Sequence, residues 1–148
     1  MSKISVAVLE DSTGEERELT LASILHVQAS VYPPAWLDED SEKYYRSALA
    51  SNDAIHVIVR DIGKIVGYLL AVPLHSVMVD LVPYDPLIAI ANPDAYYIDT
   101  FEILPHKGIG SSRKVLHALE AELRQRHVGL LMCHARVLTE QGAQALFW

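Results

Sequence analysis

Ile4, Val6 and Val8 alternate with polar or small residues, a period of two that predicts a strand over 4–9. Asp11-Ser12-Thr13-Gly14 reads as a turn. The period then changes: Leu21, Ile24, Leu25, Val27 and Val31 recur at helical spacing and predict a helix over 18–32, stopped by Pro33-Pro34. Ser41 opens a second, short helix with Tyr44, Tyr45, Ala48 and Leu49 on one face. Residues 54–60 and 65–72 are β-rich and flank an Asp61-Ile62-Gly63-Lys64 turn, so they predict a hairpin. Four prolines punctuate an irregular stretch over 73–94, a length of loop that often carries function. A strand follows over 96–104, and Val115, Leu116, Leu119 and Leu123 mark the apolar face of a helix entered through Gly108-Ile109-Gly110. Residues 128–137 predict a buried strand, and Thr139 caps a last helix over 140–148. The predicted order is β-α-α-β-β-β-α-β-α, an α/β chain with a mixed sheet.

The length of 148 residues fits one domain spanning 1–148. Hydrophobic residues at 51% are too many for a disordered chain, yet no apolar run reaches the ~18–20 residues of a membrane helix. Acids early in MSKISVAVLEDS argue against a signal peptide, so a cytoplasmic protein is expected. The single cysteine, Cys133, excludes an intrachain disulfide and reads as a buried small hydrophobe. No His-x-x-x-His or His-Glu-x-x-His spacing occurs, so no metal site is expected. The net charge of −7 argues against a general nucleic-acid binder. That charge is uneven: residues 1–103 hold 16 acids and 6 Lys/Arg, whereas 104–148 hold 3 acids and 6 Lys/Arg. The basic last third is a candidate for meeting an anion.

The stretch ILPHKGIGSSR, residues 103–113, is a strand end, a glycine turn and a helix start. The free N–H groups of a helix's first turn bind phosphate, and glycine lets the backbone approach it. Lys107 and Arg113 add charge, and Ser111 and Ser112 add hydroxyl donors. The stretch is neither a P-loop nor a complete G-x-G-x-x-G fingerprint, and a helix cap with tight packing is its plain alternative.

At this stretch the chain resembles the GNAT superfamily of N-acetyltransferases, over nearly its whole length. The resemblance rests on the element order, the strand end at Ile103 and Pro105, the K-G-I-G turn, and Tyr68-Leu69-Leu70-Ala71 after Gly67. It also rests on Glu140 to Phe147, which looks like the family's N-x-x-A-x-x-L-Y helix. It implies a GNAT-like fold and acetyl-CoA as co-substrate. The cofactor site would then comprise Ile103, Leu104, His106, Lys107, Gly108, Ile109, Gly110, Ser111 and Arg113. The chain departs from the family at three places. The loop is about three residues short, with Pro105 at the [QR] position; Phe147 stands where a tyrosine often protonates the thiolate; and two more strands of the family sheet are expected beyond Trp148.

Family bases come from the strand over 96–104, which makes Asp99 and Glu102 the candidate catalytic carboxylates, neither preferred. Strict alternation puts Asp99 on one face with Tyr97, Phe101 and Ile103, and Glu102 on the other with Ile98 and Thr100. Their plain readings are a structural partner for Asp99 and a solvated strand end for Glu102. His134 reads as a satisfied interior histidine or a cleft residue, and Trp36, Tyr44 and Tyr45 as core aromatics or an acceptor pocket. The expected activity is N-acetylation of a small-molecule or peptide amine, with no nucleic acid or membrane partner. The alternative is a degenerate, non-catalytic domain that binds CoA or another protein. Val128 to Val137 as an unpaired edge strand predicts a homodimer. A third reading is a shortened form of a longer protein.

Overall fold

The structure, a computed structural model, describes residues 3–10, 13–37, 39–105, 107, 110–139 and 142–147, without the side chains of Trp36, 135–139 and 142–147. Strand β1 (Ile4–Val8) leads into helices α1 (Gly14–Val31) and α2 (Ser41–Ala50). Strands β2 (Ile55–Asp61) and β3 (Lys64–Pro73) form the hairpin. A short helix α3 (Met78–Leu81) lies between two 3-10 turns, Leu74–Ser76 and Pro86–Ile90. Then come β4 (Tyr96–Ile103), α4 (Ser111–Gln125), β5 (Leu131–Thr139) and β6 (Gly142–Phe147). The sheet order is β1-β2-β3-β4-β5-β6, antiparallel except for the parallel pair β4–β5.

The mixed α/β fold is as expected, and two features of the pattern are corrected. The segment after Thr139, read as a helix, is strand β6. Six residues, Gly142 to Phe147, are too few to separate a period of two from one of 3.6. Pairing with β5 from His134↔Phe147 to Thr139↔Gly142 settles the state. The fifth strand therefore has a neighbour on both sides and is not the free edge on which the dimer expectation rested.

Helix α1 begins four residues earlier than its apolar period suggests, because a capping box fixes its start. The Glu16 N–H donates to Thr13 Oγ1 (3.3 Å) and the Thr13 N–H donates to Glu16 Oε2 (2.8 Å). Its end is fixed by Pro33, which forces Tyr32 into extended backbone (φ −99°, ψ 146°).

The sheet is covered on both faces, which is why β2 and β3 are almost continuously apolar. On one face Leu21 and Ile24 of α1 and Tyr45 and Leu49 of α2 pack on Ile58, Tyr68, Leu70 and Tyr97. On the other, Val115, Leu119 and Leu123 of α4 pack on Val57, Val59, Leu69 and Ala71. Burying each such side chain contributes about 1.5–3 kcal/mol. Gly67 lets β3 and β4 lie this close. A Cβ there would stand 3.0 Å from the Glu102 carbonyl oxygen and 3.0 Å from Ile103 Cγ1.

Candidate active site

Strands β4 and β5 pair only through Tyr96↔Leu131, Tyr97↔Met132 and Ile98↔Cys133. Beyond Ile98 they part, and β5 continues by pairing with β6. On its β5 side the second half of β4, from Asp99 to Ile103, thus has no described strand partner.

The same point carries a β-bulge. The register with β3 runs Leu70↔Thr100 and then Ala71↔Ile98, so Asp99 is the extra residue. This corrects the alternation expected along β4. Tyr96, Ile98 and Phe101 pack on the α4 face. Tyr97 packs on the α1/α2 face, which Thr100 and Glu102 share through their pairing with Leu70 and Tyr68. Asp99 is exposed at the bulge, while Glu102 is 2% exposed.

The bulge brings the two candidate carboxylates into one electrostatic neighbourhood. Burial pushes the Glu102 carboxyl up from its ordinary value of 4.5 to about 7. The Tyr32 hydroxyl pulls it down, and the Asp99 charge adds to the rise. Among the described residues neither Glu102 oxygen has a hydrogen bond of good geometry, and the buried Tyr68 hydroxyl opposite it in register has none either. Buried polar groups in this condition are uncommon and concentrate where a site serves something other than stability.

Tyrosines wall the site. Tyr45, 4% exposed, shares a hydrogen bond with Thr100 Oγ1 (3.0 Å) and accepts one from Gln28 Nε2 (3.2 Å). Thr100 Oγ1 donates to Asp99 Oδ2 (3.3 Å). Tyr44 is more exposed and hydrogen-bonds Asp99. Burial, and then the Asp99 charge, hold the Tyr44 hydroxyl well above the ordinary range. Burial does the same for Tyr45 and Tyr68, so all three are neutral phenols at any working pH. Tyr45 is thus a core aromatic, whereas Tyr44 edges the site; the Trp36 side chain lies outside the described residues.

His134 sits where β5 leaves β4. Its Nδ1 is 2.9 Å from the Tyr97 hydroxyl and its Nε2 is 3.2 Å from Asp85 Oδ2. It is a satisfied, largely enclosed histidine, and it ties the loop before β4 to both strands. Cys133, expected to be buried, is exposed, because it projects from the opposite side of β5. Among the described residues no group of three His, Cys, Asp or Glu side chains is arranged to hold a metal ion.

The loop from β4 to α4 contains the other predicted residues. Ile103 and Leu104 are partly buried, and the Leu104 N–H already donates to the Val66 carbonyl (2.8 Å), so it is not free for a ligand. His106, Gly108 and Ile109 lie outside the described residues. Gly110 caps α4 with φ +78°, a left-handed conformation that glycine adopts without strain, and supplies no side-chain hydrogen bond to the first turn. Ser111 is buried at 1% exposure, and Lys107 and Arg113 are exposed. The donors of the α4 first turn, this glycine cap and two cations suit a phosphate-bearing ligand. The open β4 edge suits an extended amide chain leading from it.

The model of the acetyltransferase (GNAT) family matches residues 21–147. The chain belongs to this family. Several solved GNAT structures share its fold at low sequence identity. An aminoglycoside 6'-N-acetyltransferase, AAC(6')-Ih from Acinetobacter baumannii, is 12% identical at a TM-score of 0.63, covering 94% of this chain and 83% of its own. AAC(6')-Iy, solved with the bisubstrate analogue CoA-S-monomethyl-acetylneamine, is 10% identical at a TM-score of 0.62, covering 95% and 82%. The ribosomal-protein-S18-alanine N-acetyltransferase from Escherichia coli is 17% identical at a TM-score of 0.59, covering 94% and 71%. No curated protein sequence matches the chain. No described helix of this GNAT chain is long and apolar enough to cross a membrane.

Proposed function

We propose that the chain is a cytoplasmic, acetyl-CoA-dependent N-acetyltransferase acting on an amine of a small molecule or peptide, with one domain over 1–148. The observation that carries the reading is the buried Glu102 carboxyl, with a pKa of about 7, on the strand where β4 parts from β5. A general base is most effective when its pKa lies near the working pH. Exposed Asp99 is the second carboxylate, and its charge tunes Glu102.

Acetyl-CoA, when bound, supplies an acetyl group activated as a thioester. Lys107, Gly108, Gly110, Ser111 and Arg113 would hold its phosphates at the start of α4. Ile103, Leu104, His106 and Ile109 would line the approach. Glu102 takes the proton that the amine gives up as its nitrogen bonds to the carbonyl carbon and the carbon–sulfur bond breaks, directly or through a water. Asp99, oriented by Thr100 and Tyr44, faces the incoming amine and favours a cationic one. The sulfur takes its proton from water. The structural neighbours, an aminoglycoside 6'-N-acetyltransferase and a ribosomal-protein-S18-alanine N-acetyltransferase, support an amine acceptor. The reading includes a homodimer, with β1 or β6, the end strands of the sheet, as the pairing edge.

Pro105 at the position of a family donor favours a second reading, a domain that binds CoA or a protein without turnover. Calorimetry with acetyl-CoA and thiol release over a panel of primary amines separate the two. Binding with turnover supports the enzyme, binding without turnover on any amine supports the second reading, and no binding at millimolar acetyl-CoA rejects both CoA-based readings.

A further inference from the structure

The loop between β3 and β4 holds large apolar side chains out in water. Val79 on α3, Tyr84, and Leu87 and Ile90 of the Pro86–Ile90 turn are 70–84% exposed. Side chains three apart eclipse in a 3-10 turn, so Leu87 and Ile90 stand on one side of it. Apolar residues gathered in this way on a surface mark a site of interaction.

The loop is firmly anchored. Leu74, Val77 and Ile88 sit in the core that also holds Tyr45, Tyr68 and Tyr97. Asp85 ties the turn down twice: its Oδ1 accepts from the Leu87 N–H (3.1 Å), and its Oδ2 is 3.2 Å from His134 Nε2 on β5. Pro73, Pro83, Pro86 and Pro93 fix φ at four further points. The exposed side chains thus stand on a frame set before any partner arrives, which lowers the ordering cost of binding.

The charge along this part of the chain is of one sign. Between Lys64 and Lys107 there is no Lys or Arg, and there are five acids, Asp80, Asp85, Asp94, Asp99 and Glu102. The patch also borders the amine site. Asp80, next to Val79, is near enough to Tyr44 that its charge adds, after burial and Asp99, to the rise in that hydroxyl's pKa.

We propose that this loop seats the body of a cationic peptide with apolar side chains, whose free amine lies at Asp99. The proposal rests on the acetyltransferase reading and narrows its acceptor. Basic residues complement the acids, and apolar ones cover Val79, Tyr84, Leu87 and Ile90. A second copy of this chain brings the same acids to the contact, and a stable dimer uses about 20–30 residues a side, many more than this loop presents. An anionic lipid surface is repelled by those acids.

The test begins with calorimetric titration of the full chain with the capped peptide N-acetyl-Leu-Arg-Phe-Arg-Leu amide, which has no free amine. It binds saturably, and about tenfold or more tightly than its counterparts with Glu for Arg or with Ser for Leu and Phe. Leu87→Ser/Ile90→Ser weakens binding by a similar factor with an unchanged circular dichroism spectrum, and Tyr84→Ser serves if that variant does not fold. In thiol release, Ala-Leu-Arg-Phe-Arg-Leu amide exceeds alaninamide in kcat/KM, and this preference collapses in the double variant. No saturable heat up to ~1 mM capped peptide, equal binding of either counterpart, or binding unchanged in the variants overturns the proposal. So does a dimer that the double variant dissociates, or preferred binding to phosphatidylglycerol vesicles through these side chains. A capped peptide that binds while the free peptide is no better an acceptor than alaninamide overturns the link to Asp99. Absence of turnover on every amine counts against the acetyltransferase reading, while the heats with the capped peptide still decide the docking surface.

Discussion

Replacing Glu102 by glutamine separates what this side chain does for stability from what it does for chemistry. The carboxyl titrates near 7 in the folded chain against an ordinary value of 4.5. Between those values the folded state holds a proton that the unfolded state has released, so stability falls as pH rises through the window. At about 1.4 kcal/mol per pH unit, the loss on going from below pH 4.5 to above pH 7 is about 3 kcal/mol. Glutamine is close to the neutral acid in shape and does not titrate. Glu102→Gln should therefore match the wild type at about pH 4 and exceed its unfolding free energy by up to about 3 kcal/mol at about pH 8. Urea unfolding of both proteins across this range measures the difference, in which the other titrating groups cancel. A difference that is flat with pH, or that shrinks as pH rises, refutes the argument that Glu102 is a buried carboxyl held against its charged form. A variant that gains stability and loses acetyl transfer has the trade expected of a catalytic group.

The remaining predictions address the frame and the anion end. Gly67→Ala should destabilise by about 1–3 kcal/mol, because its Cβ presses on the Glu102 carbonyl and on Ile103; it should also lower the thiol-release rate by shifting the end of β4. Thr13→Ala should cost about 1 kcal/mol through loss of the α1 cap, read by thermal unfolding, and leave activity unchanged. Arg113→Ala should raise the KM for acetyl-CoA by up to about fivefold, the scale of an exposed ion pair, with the effect shrinking as salt is added.

Much of the frame is legible along the chain because β2, β3 and α4 bury one kind of residue at one period, and sharp turns bound them. The helix starts are less so: α1 starts where the Thr13–Glu16 capping box puts it, ahead of its first apolar contact. The bulge at Asp99 leaves no mark in a pattern of period two, since it depends on the register with β3. It moves Glu102 and Tyr97 to one face, and with it goes the choice between the two carboxylates. The sequence therefore names both acids and gives no ground to prefer either, while burial points to Glu102. Gly142 to Phe147 is too short for its period to decide, and its partner strand decides instead.

The most direct measurement is the pH profile of kcat/KM for thiol release, from acetyl-CoA and an accepted amine, in the wild type and in Glu102→Gln. The account predicts a rate that rises with pH through an apparent pKa near 7, that of Glu102 in the folded chain, and that this rise is lost with the carboxyl in the variant. A wild-type rise that persists unchanged in Glu102→Gln at full rate would contradict the assignment of Glu102 as the base.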